Sequence, residues 1–110
     1  MAQVRIPKSF TIMGHTIKVL IVSLRDWEAL AEKYDEMEDC CGFWVPDSNL
    51  IVLLRQHKSK LLHTFHHELT HAILFYMNNK LWRNEAFVDQ FAGLLSQALE
   101  TGTHGEQATK

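Results

Sequence analysis

Residues 66–75 read HHELTHAILF, and within them His67-Glu68-x-x-His71 sets two imidazoles four positions apart with a carboxylate beside the first. A helix turns about 100° per residue, so positions four apart project from one face with only ~40° between them. Two imidazole nitrogens held one turn apart can both reach a single zinc ion at about 2.1 Å. Glu68, ~100° round from His67, is awkward as a third ligand but can lean over the metal and take a proton from water there. The chain carries seven histidines among 110 residues, and at that composition the spacing arises by chance in roughly 3 of 100 chains. The remaining sequence has to decide its meaning.

The surrounding pattern supports a helix over Ser59–Asn79, with Ser59 near its start and two asparagines at its end. Leu61, Leu62, Phe65, Leu69, Ala72, Ile73 and Tyr76 fill an arc of about 120° opposite His67 and His71. This helix is expected to bury one side and present the histidines on the other. A catalytic zinc needs a third protein ligand, and the chain offers NEAFVD, Asn84 to Asp89. Glu85 and Asp89 share a face at the border of an apolar arc of Phe87, Val88, Phe91, Leu94, Leu95 and Ala98. That arc is expected to be the core face of a second helix over Asn84–Glu100, with Asn84 as its N-cap. Acidic groups at such a border meet either solvent or a buried partner. The partners suggested here are zinc for Glu85 and a metal-bound imidazole for Asp89, which would accept the ring N–H and fix the tautomer.

His67-Glu68-x-x-His71 followed by Asn84-Glu85-x-x-x-Asp89 resembles the paired motif of the gluzincins, the thermolysin-like zinc metallopeptidases. The resemblance covers Gly42 to Gln97, about half the chain. It implies Zn2+ held by His67, His71 and Glu85, Glu68 as general base, and Asp89 as the partner of His67. It also implies a zincin-like fold and peptide-bond hydrolysis on a peptide or protein substrate. Only thirteen residues separate His71 from Glu85, a short interval that suits the minimal "minigluzincin" form found in small stand-alone proteins and in proteins of phages and mobile elements. Beyond Glu85 the only Tyr or His is His104, in the tail, so the motif supplies no oxyanion-stabilising group. The alternative is a non-catalytic zinc module whose ligands hold a protein-interaction surface. That module has no use for Glu68, which favours the enzyme.

Several side chains have two readings. His63, one turn before His67, either touches the ion or lines the cleft, and three histidines on one straight helix do not easily converge on a tetrahedral metal. His66 points away from the metal face and reads as structural. Trp44, Trp82 and Phe75 are expected to pack. Cys40 and Cys41 are adjacent and the only cysteines, and a disulfide between neighbours is strained, so both are expected as free thiols in a reducing compartment.

The elements that must carry this chemistry begin with SFTIMGHTIKVLIVS, Ser9–Ser23. Its β-branched residues around Gly14-His15 read as a hairpin with a type II′ turn. SLRDWEALAEKYDEM, Ser23–Met37, reads as a helix capped by Ser23, with Leu24, Trp27, Leu30, Ala31 and Tyr34 on one face. CCGFWVPDSNLIVLL reads as a second hairpin turning at Pro46–Asn49. Its first strand is either plain sheet or an edge on which an extended peptide can add a strand. The expected fold is α+β, ordered ββαββαα: a small, mainly antiparallel sheet packed on helices, one domain over 1–100 with a disordered tail over 101–110. Net charge is −2, with no basic stripe to meet a phosphate backbone, which argues against nucleic acid. No apolar run reaches the roughly 18 residues of a membrane span, and MAQVRIPKSF has no signal-peptide core, so the expected address is cytoplasmic.

Overall fold

The computed structural model describes residues 6–34 and 41–103. Four strands form one sheet: β1 (Ser9–Ile12), β2 (His15–Val22), β3 (Gly42–Val45) and β4 (Leu50–Leu54), in the order β1-β2-β4-β3. Three helices accompany it: α1 (Leu24–Ala31), α2 (Lys58–Tyr76) and α3 (Glu85–Thr101). The fold is α+β, as expected. β1/β2 and β3/β4 are antiparallel hairpins, but β2 and β4 lie side by side in parallel, with Lys18 opposite Leu50 and Val22 opposite Leu54. The two hairpins are thus joined through a parallel seam reached by way of α1, and the sheet is mixed.

The seam explains why β4 reads LIVLL without alternation, since both faces of a central strand are covered. Ile51 and Leu53, fully buried, face α2 together with Ile17, Val19 and Trp44 of the sheet and Leu61, Leu62, Phe65 and Ala72 of the helix. Val52 points the other way, onto Trp27 of α1. Burying side chains such as Ile17, Ile51 and Leu53 stabilises the fold by about 2–3 kcal/mol each. α3 packs on α2, on the side away from the sheet core.

Local chemistry sets the boundaries. Ser23 caps α1 by accepting from Asp26 N, but α1 ends at Ala31, Leu24 is exposed, and 35–37 lie outside the described residues. The β1–β2 turn has positive φ at both Met13 (50°) and Gly14 (82°). This is the type I′ pattern, not II′, and it shifts Gly14 to the second loop position. Between β3 and β4, Pro46–Ser48 forms one 3₁₀ turn closed by Asn49 in the left-handed region, its side chain held by the Tyr76 hydroxyl. Among the described residues no helix is long and apolar enough to cross a membrane. Cys41 is an exposed free thiol; Cys40 and the tail from His104 lie outside the described residues.

α3 presents a different face from the one its apolar pattern predicts. Val88, Ala92 and Ser96 are its buried positions, while Phe91 and Leu94 are 49% and 62% exposed. These small side chains set the contact with α2. Turning this narrow face inward also swings Glu85 and Asp89 toward His67. The bulkier half of the apolar arc is left outside.

Candidate metal centre

The centre is assembled by α2, α3 and the turn between them. α2 is covered by the sheet on one side and by α3 on the other, so its histidine face is not a solvent face: His71 and Glu68 are buried and His67 is half-buried. α2 ends where Asn78 enters the left-handed region at φ 55°. Lys80–Arg83 then make a 3₁₀ turn capped by the Asn79 side chain, which accepts from Leu81 N. α3 starts at Glu85, with the Asn84 side chain accepting from Phe87 N. Glu85 therefore sits in the first turn, where the helix dipole favours a carboxylate.

These elements bring His67, His71 and Glu85 together. His67 Nε2 is 3.1 Å from Glu85 Oε1, His71 Nε2 is 3.1 Å from Glu85 Oε2, and the two Nε2 atoms are 3.2 Å apart. A tetrahedral zinc with bonds of 2.0–2.1 Å separates its ligand atoms by about 3.4 Å. The two nitrogens and the Glu85 carboxylate thus outline the face of a coordination polyhedron. Their protonation suits the same purpose. His71 Nδ1 lies 2.6 Å from the Trp82 carbonyl oxygen, which can only accept, so Nδ1 carries a proton and, in the neutral imidazole, the lone pair is on Nε2. Burial, and then the neighbouring His71, lower the pKa of His67, with Glu85 and Asp89 opposing, so the neutral imidazole is favoured. Neutral nitrogens and a carboxylate converging at this spacing repel one another unless a cation or proton lies between them. This donor set can hold a metal ion.

The outer contacts differ between the two histidines. Asp89 faces Nδ1 of His67, the side expected, at 3.6 Å, beyond hydrogen-bond range. The tight contact is the one to His71, and it comes from the main chain of Trp82. A side-chain pattern cannot display a carbonyl acceptor; the only signal was the short interval between the motifs, which forces a compact turn beside His71.

Glu68 lies against the same space and is 6% exposed. Desolvation, with a contribution from the Glu85 charge, pushes its carboxyl up from 4.5 to about 8. β3 lies directly above it: a Cβ on Gly42 would come within 2.9 Å of Glu68 Cγ and 2.5 Å of Thr64 Cγ2. Only glycine allows the strand to approach this closely. The cleft, about 530 Å³, is bounded by His67, Glu68, His71 and Glu85, by Phe43 and Trp44 of β3, and by Trp82 and Arg83 of the turn. Arg83 stacks over the Trp82 ring at 4.9 Å. The aromatics pack as expected, Trp44 and Trp82 each edge-on to Phe75 at 5.9 and 5.2 Å, and they form the cleft wall as well.

The other histidines stay out of the donor set. His63 is exposed and lines a neighbouring depression with Cys41, Gly42 and Thr64. His66 is buried on the α3 side, its Nδ1 hydrogen-bonded to Ser96 Oγ at 2.5 Å. Comparison with protein-family models, with curated proteins and with solved structures gave no match to this chain.

Proposed function

We propose that this chain is a zinc-dependent peptidase of the gluzincin type, with His67, His71 and Glu85 as metal ligands and Glu68 as general base. The observation that carries the reading is a buried carboxyl beside three converging metal donors, all opening into one cleft. A zinc ion bound there supplies a Lewis acid that polarises a carbonyl and acidifies water. His71, locked by the Trp82 carbonyl, and His67, with Asp89 on its Nδ1 side, hold their Nε2 atoms toward the centre. Glu68 takes the proton from the attacking water and returns it to the leaving amine. Burial raises its pKa in the metal-free protein, and the charge of a zinc ion beside it would favour the ionised carboxylate that this step needs. The edge position of β3 supports a peptide substrate: among the described residues β3 is last in the sheet order, and Phe43 and Trp44 border the cleft. An extended chain added to that edge would lie across the metal site.

The deep burial of Glu68 favours a second reading, a zinc module without catalysis. One set of measurements separates the two. Metal analysis should find one zinc per chain, lost in His71→Ala. Glu68→Gln should keep its zinc while cleavage of any peptide selected from a library falls about 10²–10⁴-fold. Zinc bound by both forms, with no peptide cleaved by either, selects the non-catalytic module. Full zinc occupancy in His71→Ala refutes the ligand set.

A further inference from the structure

α3 carries two apolar faces, and α2 uses only one. Around the helix, Phe87, Phe91, Leu94 and Ala98 fall within an arc of about 60°, centred roughly 130° away from the buried Val88, Ala92 and Ser96. Phe87 and Phe91 stack at 6.1 Å, and Phe91 and Leu94 are exposed. The intervals along this strip are four, three and four, the a/d spacing of a helix-pairing seam. A surface helix normally mixes charges into its outer face. Here residues 90–99, QFAGLLSQAL, contain none, and the acidic groups of α3 are Glu85, Asp89 and Glu100. On the helical wheel all three lie on the far side from the strip.

From this face we infer that α3 pairs antiparallel with α3 of a second copy of the chain. The strip is symmetric about a point midway between Phe91 and Leu94, as a two-fold axis requires, so a residue meets the position whose number makes 185 with its own. Phe91 packs on Leu94 of the partner subunit, and Phe87 on Ala98 of the partner subunit, large against small in both cases. Opposed helix dipoles favour this direction, and the neutral Gln90 and Gln97 on the solvent flank add no like-charge repulsion. Residues 104–110, HGEQATK, contain no large apolar side chain. The strip covers the 12 residues from Phe87 to Ala98, about 18 Å of helix, so the buried area falls in the range below about 1,200 Å² that weak complexes occupy. The dimer is therefore a weak one, forming at micromolar concentrations.

Sedimentation velocity over about 1–500 µM tests this, a range chosen for so small an interface. The wild type should pass from monomer to dimer. Phe91→Lys and Leu94→Glu should each stay monomeric, with unchanged circular dichroism. Mixed one to one, the two variants should form a heterodimer, because antiparallel pairing sets position 91 of one against position 94 of the other. A wild type that remains monomeric throughout overturns the inference and leaves the strip to another kind of partner. A dimer that survives either substitution overturns it too, since the contact then lies elsewhere. Monomeric variants whose mixture stays monomeric overturn the antiparallel register.

Discussion

Glu68 has to serve as a base in a place that resists its charge. Packed beneath Gly42 and 6% exposed, its carboxyl is held neutral up to about pH 8 by burial first and by the Glu85 charge second. A carboxyl with a raised folded-state pKa contributes stability that is fully present below its ordinary value of 4.5 and is lost as pH rises through about 8. The lowered pKa values of His66 and His67 act at the other end, giving stability above 6.5 that is lost as pH falls. Between pH 7 and 9 the carboxyl is the group to watch. Thermal melts of the metal-free protein should show a loss on the order of 1 kcal/mol over that interval. Glu68→Gln, which cannot ionise, should remove most of that loss. An equal slope in both proteins would place the titrating group elsewhere. The two histidines divide their support unevenly, His71 gripped by a main-chain carbonyl and His67 facing Asp89 at 3.6 Å, so His67 is the ligand with more freedom to turn.

Among the elements, those legible in the sequence were the ones with local causes. Ser23 and Asn84 cap α1 and α3 through their own side chains, and the period of α2 sets His67 and His71 on one face wherever the helix packs. What escaped the sequence was relative: which strand lies beside which, and which face of α3 turns inward. Leu20 and Leu53 have equal claims to a core by hydropathy, yet one is 46% exposed and the other fully buried, because Leu53 faces α2 while Leu20, beside Val52, points to the opposite face, where α1 covers Val52 but not Leu20. The expected core face of α3 is only partly buried: Val88 is fully buried, but close packing against α2 favours Ala92 and Ser96 over Phe91 and Leu94. Gly42 is an example of the same dependence on neighbours. In Gly42→Ala the new methyl group meets Thr64 Cγ2, and the Thr64 rotamer is held by a 2.9 Å hydrogen bond from Oγ1 to Lys60 O. β3 must lift from α2, at a cost of about 1–3 kcal/mol in an unfolding titration. Zinc content should be retained and cleavage should fall, because Glu68 moves and the ligands do not. Adding Thr64→Ser, which deletes the clashing methyl, should recover part of the stability. No recovery would mean that the strain lies at Glu68 itself.

At the scale of the whole molecule, the sheet and the metal centre make opposite demands on the chain. The central pair joins Lys18 to Leu50, residues far apart in sequence, and its closure carries a loop entropy that grows with the intervening length. The donors and the carbonyl that orients one of them all lie between His67 and Glu85, on two helices joined by a short turn. Contacts between near neighbours form early and distant pairings late. Refolding should therefore be limited by the β2–β4 seam, with the helical hairpin already formed: Ile51→Val and Ala92→Gly on α3 should both slow it and change unfolding little, which stopped-flow fluorescence of the tryptophans measures. If the order holds, the helical hairpin presents its donors while the sheet is still open. The ion is then picked up by a half-folded chain and becomes part of how the molecule reaches its final shape.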